Sequence, residues 1–149
     1  MKGIEKIESC DPERLWSDEQ PGERMEKLST IQKRNNLNEV YRVGGKGPGG
    51  AFHEYEIFAA SDLEGEGTFY QLLHVCFQEG PRGGVESESG VLDGDLLEIV
   101  RDRLACFQAG EFATRENACA LHHIEEALMW MNKRVEDRAE RQVLGTYNK

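Results

Sequence analysis

The sequence predicts an α+β fold, with a small N-terminal antiparallel β-sheet followed by a C-terminal two-helix hairpin that oligomerises. Runs rich in aromatic and β-branched residues, interrupted by glycine, occupy residues 39–78. Apolar residues at spacings of three and four follow over residues 93–141. An order of strands and then helices is typical of α+β folds, and a chain of 149 residues suffices for one domain.

Two β-prone runs, EVYRV and HEYEIF, flank a glycine-rich connection from Gly44 to Gly50. Glycine and proline at this density end regular structure, so the pattern predicts a β-hairpin. A phosphate-binding loop is the alternative, but GGKGPGG lacks the G-x-x-x-x-G-K-[ST] spacing and no helical pattern follows it. The run TFYQLLHVCFQ predicts a third strand, and EGPRGGVESESG predicts a long loop after it.

The second half of the chain predicts two helices of unequal length. We expect the first over about residues 93–108, with Asp93 as its N-cap, and the second over about 115–141, with Thr114 as its N-cap. At about 1.5 Å per residue, the second helix is longer by roughly 17 Å. Its apolar stripe continues beyond the end of the first helix, so the strands, a second chain or both must cover it, and we expect at least a dimer to form. The stripes comprise Leu96, Leu97, Val100, Leu104 and Phe107 in the first helix, and Leu121, Ile124, Leu128, Met131 and Val135 in the second.

Residues 1–36 are charged and poor in bulky apolar residues, so we separate them as a polar N-terminal extension from a single α+β domain at 37–149. A few apolar residues recur at helical spacing in the extension, which favours a short helix near residues 23–34. A polar segment without regular structure is the alternative.

The charge balance excludes several classes of partner. A net charge of −10 argues against DNA or RNA binding, which depends on a positive field, and against an anionic membrane surface. No apolar run approaches the roughly 20 residues of a membrane-spanning helix, and the N-terminus lacks the apolar stretch of a secretory signal. The four cysteines stand singly without a C-x-x-C pair. We therefore expect reduced cysteines in a cytosolic protein, without a zinc ribbon or another cofactor.

A basic tail on this acidic chain offers a candidate for anion binding. Arg134, Arg138 and Arg141 lie at spacings of four and three, so they share a helix face. Solvated charge that compensates the helix dipole is the commoner meaning of such a pattern. Arginine forks also match phosphate oxygens, which makes an anion site the alternative.

Three further residues have two interpretations each. Asn117, in the first turn of the second helix, serves the helix cap or presents its amide to a base edge. Phe107 packs inside the hairpin or offers a stacking surface at its bend. Arg82, in EGPRGG, is a solvated loop residue or contacts a ligand that approaches the glycine-rich backbone.

Patterns for metal binding and nucleophilic catalysis are weak. His122 and Glu125 have a spacing used in di-iron bundles, but the first helix offers no matching set. Cys119 lies three or four residues from two histidines, yet it is expected near the apolar face of its helix. No G-x-S-x-G elbow occurs. We expect no metal site, no catalytic residues and no enzymatic activity.

Three segments of the sequence carry a family resemblance, namely RLACFQAGEFATRENACAL, HIEEALMWM and RQVLGT, within roughly residues 77–146. They resemble the helical-hairpin family of phage anti-defence sponges. The resemblance implies a protein that binds cyclic nucleotide messengers of bacterial immunity and withholds them from their effectors. One branch, the anti-CBASS sponge, is almost all helical and takes cyclic di- and trinucleotides. The other, the Thoeris anti-defence sponge, has strands before the hairpin and takes cyclic ADP-ribose isomers, and the strands at 39–78 place this chain closer to it.

The resemblance also implies a set of ligand-binding residues. In the Thoeris branch an aromatic residue, an asparagine and arginines from the hairpin and the preceding loop surround the ligand. The matching residues of this chain are Phe107, Asn117, Arg134, Arg138 and Arg82. The tail departs from the family pattern at two positions. Val135 stands where a threonine often follows the first arginine, and Gln142 stands where a glycine usually follows the last.

Helix geometry restricts how these residues meet. Asn117 and Arg134 are 17 residues apart on one expected helix, hence about 25 Å apart. A cyclic ADP-ribose molecule is much smaller, so one chain cannot place both residues on one ligand. Two chains packed head to tail can do so, which gives two equivalent pockets in a homodimer. A higher homo-oligomer is the alternative.

The function that we expect is a sponge, without enzymatic activity, for cyclic ADP-ribose isomers, including glycocyclic ones. It would block Thoeris effectors in the cytoplasm of the infected bacterial host. Three alternatives stay open. They are the same role for cyclic di- or trinucleotides at the same or an additional site, a hydrolase of such messengers, and a purely structural helical-hairpin oligomer.

Overall fold

The computed structural model describes residues 25–32, 37–59, 70–82, 84–146 and 148. Within these residues a four-stranded antiparallel sheet precedes two helices, which confirms the predicted α+β fold class. The chain divides into two compact units. The sheet unit comprises Met1–Glu79 and Glu88–Gly90, and the hairpin unit comprises Gly80–Ser87 and Val91–Lys149.

The sheet contains its strands in sequence order. Strands β2 (Asn38–Val43) and β3 (Glu54–Ala59) form the predicted hairpin, and β4 (Tyr70–Cys76) is the predicted third strand. In the glycine-rich connection Gly44 has a φ of 71° and Gly49 a φ of 75°, a conformation that favours glycine. The connection leads through a short 3-10 turn into a strand, whereas a phosphate-binding loop leads into a helix. Strand β1 (Met25–Lys27) lies at the edge of the sheet, beside β2.

The two faces of the sheet differ in polarity. The register pairs Val40 with Ile57 and Ile57 with Leu73, so these apolar residues share one face. On the other face His74 Nδ1 lies 3.3 Å from Oε1 of Glu56, whose carboxyl group is buried. The alternation along β3 therefore places Ile57 on one face and Glu56, with its partner His74, on the other.

The helix expected near residues 23–34 is wrong for the described part of this segment, where strand β1 forms instead. Met25–Lys27 pairs with β2 in antiparallel register, and residues 28–32 contain no helix. Helical spacing over a few residues is a weak preference, and pairing with a neighbouring strand overrides it. The rest of the 1–36 extension lies outside the described residues, and its separation from a domain at 37–149 stays a prediction.

Two ion pairs join the edge strand to its neighbour. Glu26 pairs with Arg42, and Lys27 pairs with Glu39. The hydrogen bonds that Lys27 and then Tyr41 donate to Glu39 lower the pKa of this carboxyl group below its ordinary value. These contacts link positions far apart in the sequence, which is why a local pattern did not reveal them.

The cysteines differ from expectation in two respects. Cys106 and Cys119 are free and exposed, although Cys119 was expected near the apolar face of its helix. Cys76 is disulfide-bonded, so the expectation of four reduced cysteines is wrong for this residue. Spacing along the sequence does not reveal a disulfide, because the bond depends on two Cα atoms approaching to about 6 Å in the fold.

The hairpin consists of α1 (Asp93–Gln108) and α2 (Arg115–Glu140), whose bounds agree with the predicted helices within one residue. At the start of α1, Asp93 is the first helical residue and not the N-cap as expected. Leu92 is the N-cap, and its backbone N–H donates to the carboxylate of Asp95 at 2.8 Å. An acceptor at the third helical position therefore does the capping, as in the second half of a capping box.

Helix α2 extends well beyond α1. The 26 residues of α2 and the 16 residues of α1 span about 39 Å and 24 Å. A Cβ built on Gly94, near the start of α1, would lie 3.9 Å from Cδ2 of Leu128, so α1 runs beside α2 up to that level. Leu128 is half-buried, whereas Met131 and Val135 farther along are 39% and 44% exposed. The predicted overhang and its uncovered apolar stripe are confirmed.

The hairpin does not enclose a core of its own. No residue of α1 or α2 is buried in one chain, and Met129 and Trp130 on the overhang are 72% and 65% exposed. Burying a side chain of this size stabilises a structure by about 1.5–3 kcal/mol. The exposed apolar side chains therefore favour a second surface that covers them. Neither helix has the length and apolar character needed to cross a bilayer, and the same holds throughout the described residues.

Candidate ligand-binding site

The five predicted site residues all belong to the hairpin unit and lie at its two ends. Phe107 and Asn117 flank the bend between α1 and α2, and residues 107–117 are called the tip below. Arg134 and Arg138 lie in the last turns of α2, and residues 134–148 are called the tail.

Hydrogen bonds between the two helix ends fix the tip. The side-chain oxygen of Gln108 accepts a bond from the backbone N–H of Thr114 at 2.9 Å. The Thr114 hydroxyl, as the predicted N-cap, accepts one from the backbone N–H of Asn117 at 3.1 Å. The side-chain amide of half-buried Asn117 makes no hydrogen bond to any residue that the structure describes. The backbone of Asn117 thus serves the cap while its amide stays available to a ligand.

Aromatic rings add stacking surface at the tip. Phe107 is half-buried, and the guanidinium carbon of Arg103 lies 5.0 Å from the centroid of its ring. Phe112, in the bend itself, is 67% exposed. Sequence reasoning did not single out Phe112 or Arg103. The spacing of four between Arg103 and Phe107 is the signal that could have found this pair.

Arg138 holds the chain that follows α2. Its guanidinium donates hydrogen bonds to the carbonyl oxygens of Val143, Thr146 and Asn148, at 3.0, 2.9 and 2.9 Å. These bonds leave only part of the N–H donors of the guanidinium for a ligand. Arg138 therefore organises the tail, a role that sequence reasoning missed because its partners are backbone groups outside the helix.

The turn after α2 places Gln142 in a conformation that favours glycine. Gln142 has a φ of 56°, in the left-handed region. Its N–H bonds to the carbonyl of Ala139, and the N–H of Val143 bonds to that of Arg138, each at 3.0 Å. These two bonds form a Schellman motif, in which glycine is preferred because another residue costs about 1 kcal/mol in this conformation. Gln142 therefore adopts this turn without the glycine that is preferred there, at some cost in stability.

Arg82 approaches the tail through the backbone of its loop. In this loop the N–H of Gly84 bonds to the carbonyl of Pro81 at 2.9 Å. A Cβ built on Gly145 would lie 3.8 Å from the carbonyl oxygen of Arg82. The loop thus lies against the tail, and exposed Arg82 belongs to the end of the hairpin that carries Arg134 and Arg138.

Arg134 differs from the neighbouring cations in its lack of partners. Lys133 pairs with Asp137 at 3.5 Å, and Nε of Arg141 donates to the carbonyl of Asp137 at 3.2 Å. Arg134 is exposed and makes no ion pair or hydrogen bond through its side chain with the described residues, and the same is true of Arg82. A guanidinium without intramolecular partners keeps its donors for an anion.

The tip and the tail of one chain are far apart. Asn117 and Arg134 both lie on α2, which is continuous from Arg115 to Glu140, so they are separated by about 25 Å. The expected helix that carries both residues is therefore confirmed. A small ligand that contacts an Asn117 and an Arg134 must take them from two different chains.

The histidines of α2 do not gather further ligands. The rings of His122 and His123 make an edge contact with centroids 5.7 Å apart, and Nδ1 of His123 lies 3.7 Å from Oε2 of Glu126. Across the ranges that the structure describes, no group of three metal-ligating side chains comes together.

The hairpin is similar to known proteins. Residues 73–136 match the family model of the Acb2/Tad1 hairpin domain, a range that includes Arg82, Phe107, Asn117 and Arg134. The chain is also 47% identical over 79 residues to the Thoeris anti-defense 1 protein of Bacillus phage SBSphiJ7. That match covers 53% of this chain and 55% of the phage protein, so the chain spans about half the length of this relative.

Proposed function

We propose that this chain, whose residues 73–136 match the Acb2/Tad1 hairpin domain, is a non-catalytic anti-defence sponge that sequesters cyclic ADP-ribose signals, glycocyclic isomers among them. The similarity to Thoeris anti-defense 1 of a Bacillus phage supports the anti-defence role, and Thoeris effectors are then the proteins deprived of their signal. The observation that carries the proposal is the division of the hairpin into a tip with an aromatic ring and an amide, and a cationic tail, with Asn117 and Arg134 at opposite ends of α2.

The chemistry of the two ends fits the two parts of such a ligand. Cyclic ADP-ribose combines an adenine with a doubly charged pyrophosphate. Phe107 provides a ring on which the adenine stacks, and the free amide of Asn117 bonds to a base edge. Arg134 and Arg82, together with the remaining donors of Arg138, neutralise the pyrophosphate.

Two chains complete each pocket. In an antiparallel homodimer the tip of one protomer meets the tail of its partner, and two-fold symmetry produces two equivalent pockets. The partner also covers Met131 and Val135, which are exposed in one chain. A higher homo-oligomer built from such dimers would keep the same pockets.

The affinity required of a sponge is within reach of these contacts. A nanomolar dissociation constant corresponds to about 12 kcal/mol. A hydrogen bond to a charged group contributes about 1.5–3 kcal/mol, and a stacked base contributes about 1–3 kcal/mol. Several arginine contacts and one stacked adenine in a pocket closed by two chains therefore supply the needed affinity without any chemical step.

The site of action follows from the ligand. We place the protein in the cytoplasm of the infected host, where its signal is made, with no DNA, RNA or membrane partner and no cofactor. The net charge of −10 supports this assignment because it repels other polyanions, while the local arginines select a small anion.

Two other functions share part of this chemistry. Cyclic di- and trinucleotides also combine bases with phosphates, so a sponge for these messengers would use the same kinds of contact at the same or an additional site. A hydrolase of such messengers would bind them similarly but release a linear product.

The fate of the bound ligand separates a sponge from a hydrolase. A calorimetric panel of cyclic ADP-ribose isomers and cyclic di- and trinucleotides identifies the tightest ligand of the wild-type protein. That ligand is incubated with excess protein, filtered, and then released by heating. We expect little ligand in the filtrate and intact cyclic ADP-ribose isomer after heating. Linear product after heating would contradict the sponge, and failure to bind any compound would support a purely structural hairpin.

A further inference from the structure

We propose that the guanidinium of Arg103 covers one face of the Phe107 ring and holds the ring in place, so that the adenine of the ligand stacks on the opposite face. The proposal rests on the proposed function, because it assigns a further residue to the same pocket. Arg103 acts through Phe107 in this arrangement and is therefore a positioning residue.

The distance between the two side chains is that of a cation–π contact. The guanidinium carbon of Arg103 lies 5.0 Å from the centroid of the Phe107 ring, within the range of about 6 Å in which a cation is attracted to an aromatic face. The two residues are four apart on α1, so they share one side of the helix next to the tip.

The absence of carboxylate partners distinguishes Arg103 from its neighbour Arg101. Nε of Arg101 donates to Glu98 at 2.6 Å, and this bond raises the pKa of Arg101. Arg103 is exposed and makes no ion pair with a residue in the described ranges, although the chain is strongly acidic. No ion pair with a described residue therefore sets the position of the Arg103 guanidinium over the Phe107 ring.

The position of the Arg103 guanidinium over the Phe107 ring has two consequences for the ligand. A guanidinium over one face prevents a planar base from stacking there, so the adenine must use the opposite face. The contact also restricts the motion of the Phe107 side chain before the ligand arrives, which lowers the entropy lost on binding. Removal of the cation should weaken binding only while the aromatic ring is present.

Arg103→Met keeps an aliphatic side chain of similar reach and removes the cation. With the cyclic ADP-ribose isomer that wild type binds most tightly, we expect calorimetry to show a dissociation constant about fivefold higher. Arg103→Lys keeps a cation and should stay within about twofold of wild type. Arg101→Met is the matched control, since it removes a neighbouring cation that pairs with a carboxylate, and its affinity should equal that of wild type.

A double-mutant cycle with Phe107→Leu tests the route of the effect. In the Phe107→Leu background, Arg103→Met should cause no further loss of affinity, and circular dichroism should show unchanged helix content. The same fivefold loss in both backgrounds would contradict the proposal, because Arg103 would then act without the ring. Wild-type affinity of Arg103→Met would also overturn it while leaving the sponge intact. Failure of the wild-type protein to bind any isomer would overturn both.

Discussion

Arg134→Ala is expected to weaken binding of the tightest cyclic ADP-ribose isomer at least about 100-fold while the hairpin stays folded. Truncating one partner of an enclosed charge pair costs about 2–5 kcal/mol, and about 2.8 kcal/mol corresponds to 100-fold. Arg134 is exposed and makes no ion pair with a described residue, so its loss removes no contact that supports the fold. Isothermal titration measures the affinity, and thermal melting followed by circular dichroism checks the fold.

Lys133→Ala is the control for this variant. Lys133 is the adjacent cation on α2, and it pairs with Asp137 at 3.5 Å. Its removal changes the net charge by the same amount, yet we expect wild-type affinity. Equal losses in the two variants would mean that general electrostatic attraction, and not a specific contact, governs binding. Wild-type affinity of Arg134→Ala would show that the tail is not the pyrophosphate site.

Val135→Glu is expected to separate the subunits and abolish binding together. Val135 is 44% exposed in one chain and continues the apolar stripe of α2 beyond its contact with α1. A carboxylate at this position would have to be desolvated at the proposed interface, at a cost of several kcal/mol. Glutamate is a good helix former, so the helix itself should persist. Light scattering coupled to size-exclusion chromatography measures the mass, and calorimetry measures the binding.

Lys133→Ala is also the control for Val135→Glu, because both substitutions make the net charge more negative by one unit. Lys133 lies about 200° around the helix from Val135, away from the apolar stripe. It should keep the mass and affinity of wild type. An oligomeric Val135→Glu protein with wild-type affinity would place the interface elsewhere, and a monomeric one that still binds would remove the need for a second chain.

The helices could be predicted almost to the residue because two strong local signals agree. The spacing of the apolar residues sets the helix period, and Thr114 caps α2 through a bond to a residue three positions away. The overhang follows directly from the two lengths. Strand β1 could not be predicted in the same way, since three residues become a strand only through pairing with Tyr41–Val43.

The candidate site shows the same division between local and non-local information. The spacing in the sequence places Asn117 and Arg134 at opposite ends of one helix, and the structure agrees. The tail carbonyls that Arg138 binds lie in irregular backbone, whose path no periodicity describes. The contribution of Phe107, Asn117, Arg134, Arg138 and Arg82 to binding stays a prediction.

Subunit complementation tests the shared pocket most directly. Asn117→Ala removes the amide of the tip and Arg134→Ala removes the cation of the tail. In a mixed dimer with one copy of each, both substitutions fall in one pocket and the other pocket is intact. Differently tagged copies, co-expressed and purified through both tags, give this mixed dimer. We predict that it binds one ligand with wild-type affinity, where the wild-type dimer binds two and each variant alone binds weakly. A mixed dimer that binds no better than the variants alone would contradict a pocket built from two chains.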